Sequence, residues 1–218
     1  FAATYPGTPS SEISANFYQM SRQSELYFEY STNEKVALEV TAAAANSGVR
    51  SMCIMKHVGM NVAADAMMTL AYVGVKAGLV ILSADDPYMF SSQNEQDNRY
   101  YGKLSGLPIL EPSSVDEARQ IMPYAFELSE TLQEPVIVRT TTRINHTTGQ
   151  VVLGEITPPK TKGNFVKDPF HLVTVPAVSR NLHVKLLKNL EKAEALSCES
   201  SYNFIQGKGP WGIVVNGV

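Results

Sequence analysis

The 218-residue chain has no glycine-rich phosphate signature, neither a GxGxxG behind a strand nor a Walker A loop. No serine sits in a G-x-S-x-G elbow. Dinucleotide-binding and serine-hydrolase readings therefore have no support. The four histidines, His57, His146, His171 and His183, fall outside zinc-ligand spacing, so no metal site is expected from them. No signal peptide or membrane-spanning apolar run occurs. Basic residues number 18 against 21 acidic, a formal net charge of -3, which offers nucleic acid no basic field. The two cysteines, Cys53 and Cys198, lie too far apart in sequence to build a disulfide framework, and two thiols cannot hold an iron–sulfur cluster unaided. Cys53 falls in the apolar run Ser51–Met55 and reads as core. A reducing, cytoplasmic setting is expected, in which the Asn145-His146-Thr147 sequon is idle.

What is present is an alternation. Hydrophobic residues make up 44% of the chain, enough for a sizeable core. Strands are expected over 1–4, 26–30, 50–56, 79–84, 108–110 and 135–140. Helices are expected over 9–22, 33–47, 61–77, 95–104 and 114–132. Runs such as Leu79–Leu82 and Pro135–Val138 are apolar throughout rather than alternating, as in strands buried on both faces. The expected fold is α/β, a doubly wound parallel sheet with helices on each side. Thr8-Pro9 reads as an N-cap with proline at the first helical position. Ser114 and Glu117 read as a capping box, and so do Ser31 and Glu34.

After residue 150 the pattern changes. Pro158–Gly163 has linker composition. Residues 180–196 form a helix with an apolar stripe at Leu182, Leu186, Leu187, Leu190 and Ala193. Residues 211–218 read as a strand. The expected division is a first domain over 1–150, a linker with a helix over 151–203, and the start of a second α/β domain over 204–218. Both termini fall in strand-like sequence, so a longer polypeptide is expected.

Ligands of such sheets bind beyond the carboxyl ends of the strands. The segments to search are therefore Tyr5–Ser11, Ser31–Glu34, Lys56–Asn61, Ala84–Arg99 and Arg139–His146. Glu34 stands out. As the partner of Ser31 it is ordinary helix chemistry, and a negative charge in a first turn suits the helix dipole. It is also a carboxyl group at a strand end beside the small-residue run Ala42–Ala45. The loop Ala84–Asp97 is dense in amides, hydroxyls and acids, fit either for solvent or for walling a site. Arg139 and Arg143 can take a substrate carboxylate or pair with Asp85, Asp86 or Glu95; structural pairing is preferred. Tyr5 and Met60 read as packing residues.

Four stretches carry a resemblance: Tyr5–Glu12 (YPGTPSSE), Ser31–Ala37 (STNEKVA), Lys56–Asn61 (KHVGMN) and Ser91–Asp97 (SSQNEQD). In this order they closely resemble the alpha subunits of the indolepyruvate-type 2-oxoacid:ferredoxin oxidoreductases, a thiamine-diphosphate-dependent family. The likeness runs unbroken to about residue 150 and continues more weakly through Lys167-Asp168-Pro169. It implies that residues 1–150 are the pyrimidine-binding domain. A pyrophosphate-binding domain of the same or a neighbouring chain would hold the diphosphate and magnesium. By the same resemblance Glu34 is the catalytic glutamate that hydrogen-bonds the pyrimidine ring. Thr8 lies near the thiazolium and substrate, and His57, Val58, Gly59 and Met60 border the cofactor. Thr8, His57, Asn61, Ser92 and Asn94 become substrate-facing candidates.

The implied reaction is oxidative decarboxylation of a 2-oxoacid, indolepyruvate or another arylpyruvate. Coenzyme A takes the acyl group, and electrons pass through iron–sulfur clusters elsewhere in the subunit to ferredoxin. A beta subunit is the implied partner. An acid in the role of Glu34 works only if it carries its own proton near neutral pH, which takes an apolar, dry site. The chain departs from the family pattern in three respects. The pyrophosphate motif and the cysteine-rich motif are absent, and Ala43 stands where many relatives carry glycine. Two other roles stay open: a non-catalytic assembly subunit, and the pyrimidine-domain subunit of a thiamine-dependent 2-oxoacid decarboxylase.

Overall fold

A computed structural model describes residues 1–155 and 162–217. Six parallel strands form one sheet: β1 (Ala2–Thr4), β2 (Phe28–Tyr30), β3 (Ser51–Lys56), β4 (Leu79–Asp85), β5 (Ile109–Leu110) and β6 (Val136–Thr141). Their spatial order is β2-β1-β3-β4-β6-β5. The expected doubly wound parallel sheet is therefore what forms. The chain leaves β1 for β2 on one side and returns to β3 on the other. That reversal opens a crevice beyond the carboxyl ends of β1 and β3.

Helices cover both faces because the central strands are apolar on both. Cys53, Met55, Leu79, Ile81 and Ile137 point to one layer, built on α2 (Glu34–Asn46), α3 (His57–Val73) and α8 (Pro176–Glu199). Met52, Ile54, Val80, Leu82 and Val138 point to the other, built on α1 (Ser11–Ser21) and α5 (Val115–Leu132). Each fully buried Leu, Ile or Met side chain contributes roughly 1.5–3 kcal/mol to holding these layers together. Three short helices complete the fold: α4 (Arg99–Ser105), α6 (Thr142–Asn145) and α7 (Pro169–Leu172).

Several local expectations are corrected. Pro9 does not open α1. The peptide before it is cis, Ser10 N–H donates to Gly7 O at 2.8 Å, and the helix starts at Ser11. Ser31 does not cap α2, because its hydroxyl donates to Glu29 at 2.8 Å. Asn33 is the cap, accepting from Val36 N–H at 2.9 Å. At α5, Ser114 accepts from Glu117 N–H at 3.1 Å as expected. The Glu117 carboxylate returns to Ser113 N–H at 2.6 Å rather than to Ser114. The loop expected at Lys56–Asn61 does not exist. β3 runs straight into α3, so His57, Val58, Gly59 and Met60 form its first turn.

Beyond residue 150, Pro158–Thr161 of the expected linker lie outside the described residues. α8 docks on the first 150 residues rather than standing apart. Leu182 and Leu186 are buried, and Asn189 Nδ2 donates to Leu132 O at 2.9 Å. Leu187 and Leu190 stay half exposed, so only part of the expected stripe is used. Residues 211–217 form no strand, and Val218 lies outside the described residues. A strand is held by a neighbour's hydrogen bonds, and among the described residues no strand pairs with this stretch.

Candidate functional site

Glu34 is the first residue of α2, and the Asn33 cap leaves it free of capping duty. It is 8% exposed. Its carboxylate takes no hydrogen bond or ion pair among the described residues. One wall beside it is bare backbone. A Cβ on Gly59 would lie 2.6 Å from Glu34 Cγ, 2.7 Å from Oε1 and 2.9 Å from Cδ. Glycine is what lets the first turn of α3 come this close to the acid. Ala37, one turn along α2, is fully buried and adds no polar atom. Cys53 is part of the same layer. Burial pushes its thiol up to about 12, opposed by a Thr41 hydrogen bond and reinforced by the Glu34 charge.

The loop after β4 folds back onto the start of α3. Asp86 organises it, accepting from Phe90 N–H at 3.1 Å, Ser91 N–H at 2.8 Å and Ser92 Oγ at 2.6 Å. Burial opposes the Asp86 charge. The Ser92, Ser91 and Phe90 bonds, with Lys56 nearby, outweigh it and hold the carboxyl below its usual range. Glu95 accepts from Tyr88 N–H at 2.9 Å. These bonds maintain left-handed backbone at Tyr88 (φ 65) and Met89 (φ 55).

His57 is fully buried. Its Nε2 lies 3.0 Å from Asn94 O, which makes Nε2 the protonated nitrogen, and its buried Nδ1 has no partner among the described residues. The His57 carbonyl accepts from Gln96 Nε2 at 2.9 Å and Asn98 Nδ2 at 3.1 Å. Gln96 also pairs with Asn61 at 3.0 Å. Asn98 N–H donates to Asp85, as does Arg139 Nε at 2.7 Å. Arg139 further pairs with Glu111. The preferred Arg139–Asp85 pairing thus forms, while Asp86 and Glu95 serve loop backbone instead. Arg143 has no carboxylate partner among the described residues. It lines a pocket of about 470 Å³ with Thr8, Phe90, Ser91, Thr142 and His146.

The structure therefore brings Glu34 and Gly59 together, and ties His57 to Asn94. Thr8 is exposed in the pocket, and Val58 is half-buried. Met60 is fully buried in the core, as the packing reading had it, whereas Tyr5 is 40% exposed and packs little. Asn61 is exposed, and the Ser92 hydroxyl is engaged by Asp86. Sequence reasoning missed Asn33, Gln96 and Asn98. For Asn33 a signal existed, since asparagine directly before a helix is a preferred cap. For Gln96 and Asn98 none did, because their partners are brought near only by the fold.

Residues 1–173 match the family described as pyruvate flavodoxin/ferredoxin oxidoreductase, thiamine diphosphate-binding. The chain belongs to that family. It is 50% identical over 99% of its length to the indolepyruvate oxidoreductase subunit IorA of Methanothermobacter marburgensis, of which it covers 35%. The subunit of the same name from Thermococcus kodakarensis is 50% identical over 94% of this chain and 33% of that protein. The one from Archaeoglobus fulgidus is 47% identical over 99% of this chain and 36% of that protein. The chain thus spans about a third of the length of these curated relatives. Among solved structures, a 2-oxoglutarate:ferredoxin oxidoreductase from Magnetococcus marinus superposes with a TM-score of 0.64 at 14% identity, covering 89% of this chain and 42% of that one. At that identity the likeness speaks for the fold. No helix among the described residues is long and apolar enough to cross a membrane.

Proposed function

We propose that this chain forms the pyrimidine side of a thiamine diphosphate site in a 2-oxoacid:ferredoxin oxidoreductase that acts on an aryl 2-oxoacid such as indolepyruvate. The observation that carries the reading is Glu34: a carboxyl group only 8% exposed, at the strand ends, with no hydrogen-bond or ion-pair partner among the described residues and bare glycine backbone beside it. A buried acid left unpaired is costly unless something outside the chain completes it. The donor set fits a flat heteroaromatic ring carrying nitrogen.

When bound, thiamine diphosphate supplies the carbon nucleophile that lets a 2-oxoacid lose carbon dioxide. The chain's own part is narrower. Glu34 presents its carboxyl group to a ring nitrogen of the pyrimidine. Gly59 keeps the wall beside it flat. The backbone of the first turn of α3, His57–Met60, borders the cofactor together with Thr8, while the His57 and Met60 side chains pack inward, and the Ser91–Asp97 loop fixes that turn through Asn94 and Gln96. A pyrophosphate-binding domain and its magnesium, iron–sulfur clusters, a beta subunit and ferredoxin complete the proposed assembly. Coenzyme A accepts the acyl group.

The test is Glu34→Gln in the full-length chain assembled with its partner subunit. Glutamine keeps the size and loses the ionisable carboxyl group. Turnover of indolepyruvate is expected to fall at least about 100-fold, the usual scale of a lost acid–base group, with unchanged thermal unfolding. Near-normal turnover would remove Glu34 from the chemistry.

A further inference from the structure

Three loops beyond the strand ends share one pocket of about 470 Å³: Thr8 follows β1, Phe90 and Ser91 follow β4, and Thr142, Arg143 and His146 follow β6. That volume falls in the range of small-molecule sites. The charge around it is uneven. Arg139, within β6, is buried and neutralised by Asp85 and Glu111. Arg143, four residues on in α6, is exposed and has no carboxylate partner among the described residues. Glu12 lies 3.8 Å from His146 Nδ1. An unneutralised guanidinium at a strand-end pocket is a planar fork for a carboxylate.

The second element is aromatic. Phe90 is 75% exposed although it lines the pocket. The backbone leading to it is strained, with Tyr88 and Met89 at positive φ. Strain of this kind persists only where the surroundings over-determine it. Here Asp86 fastens Phe90 and Ser91 N–H, and Glu95 fastens Tyr88 N–H. The loop therefore presents the Phe90 ring on a fixed support rather than letting it collapse into the core.

We infer that Arg143 and Phe90 form a substrate-recognition subsite, in which Arg143 takes the carboxylate of the 2-oxoacid and the Phe90 ring takes its aryl group. This rests on the proposed 2-oxoacid chemistry and adds to it the residues that select the substrate. Neither is a catalytic residue; both act through binding.

The test uses the full-length chain assembled with its partner subunit and thiamine diphosphate. Arg143→Met is expected to raise KM about 10- to 100-fold for indolepyruvate, phenylpyruvate and pyruvate alike, with a smaller effect on kcat and a partial effect in Arg143→Lys. Phe90→Ala is expected to raise KM about 5- to 10-fold for the two aryl substrates and leave pyruvate unchanged. Indole-3-propionate, which has no keto group to react, serves as a binding probe, and its affinity should fall in both variants. Unchanged KM values with unchanged probe affinity would overturn the inference. So would a rise confined to the KM of coenzyme A, which would assign Arg143 to phosphate. A wild-type assembly that turns over no 2-oxoacid would overturn the proposed function instead, and the probe titration would then still decide the subsite by itself.

Discussion

Gly59 and Glu34 compete for one space: a methyl group on Gly59 would sit 2.6 Å from Glu34 Cγ and 2.7 Å from Oε1. The acid keeps its place only because α3 carries no side chain there. Helix propensity pulls the other way, since alanine is favoured over glycine inside a helix by about 1 kcal/mol.

Gly59→Ala should therefore leave the fold at least as stable while displacing the Glu34 carboxyl. Turnover of the assembled enzyme is expected to drop at least about tenfold with no loss of unfolding midpoint. Glu34→Asp removes one methylene and with it the contact. In the Gly59→Ala background it should cost less activity than in the wild type, a non-additive cycle. Equal costs in both backgrounds would show that the two residues act independently.

Arg139 and Asp85 form a buried ion pair, 2.7 Å from Nε to Oδ2. Removing one partner strands the other's charge. Arg139→Met or Asp85→Asn is expected to destabilise by about 3–5 kcal/mol, read as a shift of the urea midpoint. A shift under about 1 kcal/mol would mean that water or Glu111 already compensates.

Glu134, at the turn between α5 and β6, is 2% exposed. Burial pushes its carboxyl up to about 7, opposed by the Asn189 hydrogen bond and Lys185. A carboxyl raised above its unfolded value binds its proton more tightly in the fold. The stabilisation is thus complete below the unfolded value near 4.5 and lost as pH rises through about 7. Glu134→Gln keeps an acceptor for Asn189 and should flatten the pH dependence of unfolding between these limits. An unchanged pH profile in the variant would place the dependence elsewhere.

Cys53 is fully buried, with its thiol near 12, whereas Cys198 is exposed. A thiol reagent at neutral pH should modify Cys198 at once in the native chain and Cys53 only after denaturation. Prompt modification of both would mean that β3 opens readily.

Much of the sheet was legible because its signals are local. Apolar runs such as Leu79–Leu82 mark strands buried on both faces, and Ser114 with Glu117 marks a helix start. Boundaries failed where a contact from elsewhere competes with a local rule. Ser31 has capping chemistry, but Glu29 holds its hydroxyl. Pro9 suits a first helical position, but the Gly7–Ser10 turn comes before the helix. Lys56–Asn61 is a strand running into a helix rather than a loop, because α3 starts at His57. No local pattern shows that Gln96 and Asn98 come down on the His57 carbonyl.

The sequence by itself determined the parallel sheet and its two helical layers, because these follow from which residues are apolar and at what period. Only the tertiary structure decided that, among the described residues, Glu34 is without a hydrogen-bond or ion-pair partner, that Gly59 is the wall beside it, and that Arg139 is neutralised while Arg143 has no carboxylate partner. Those are facts about distance between segments remote in the chain. Burial and pairing of a charge depend on what the folded neighbours bring within a few ångströms, and no run of residues carries that information alone.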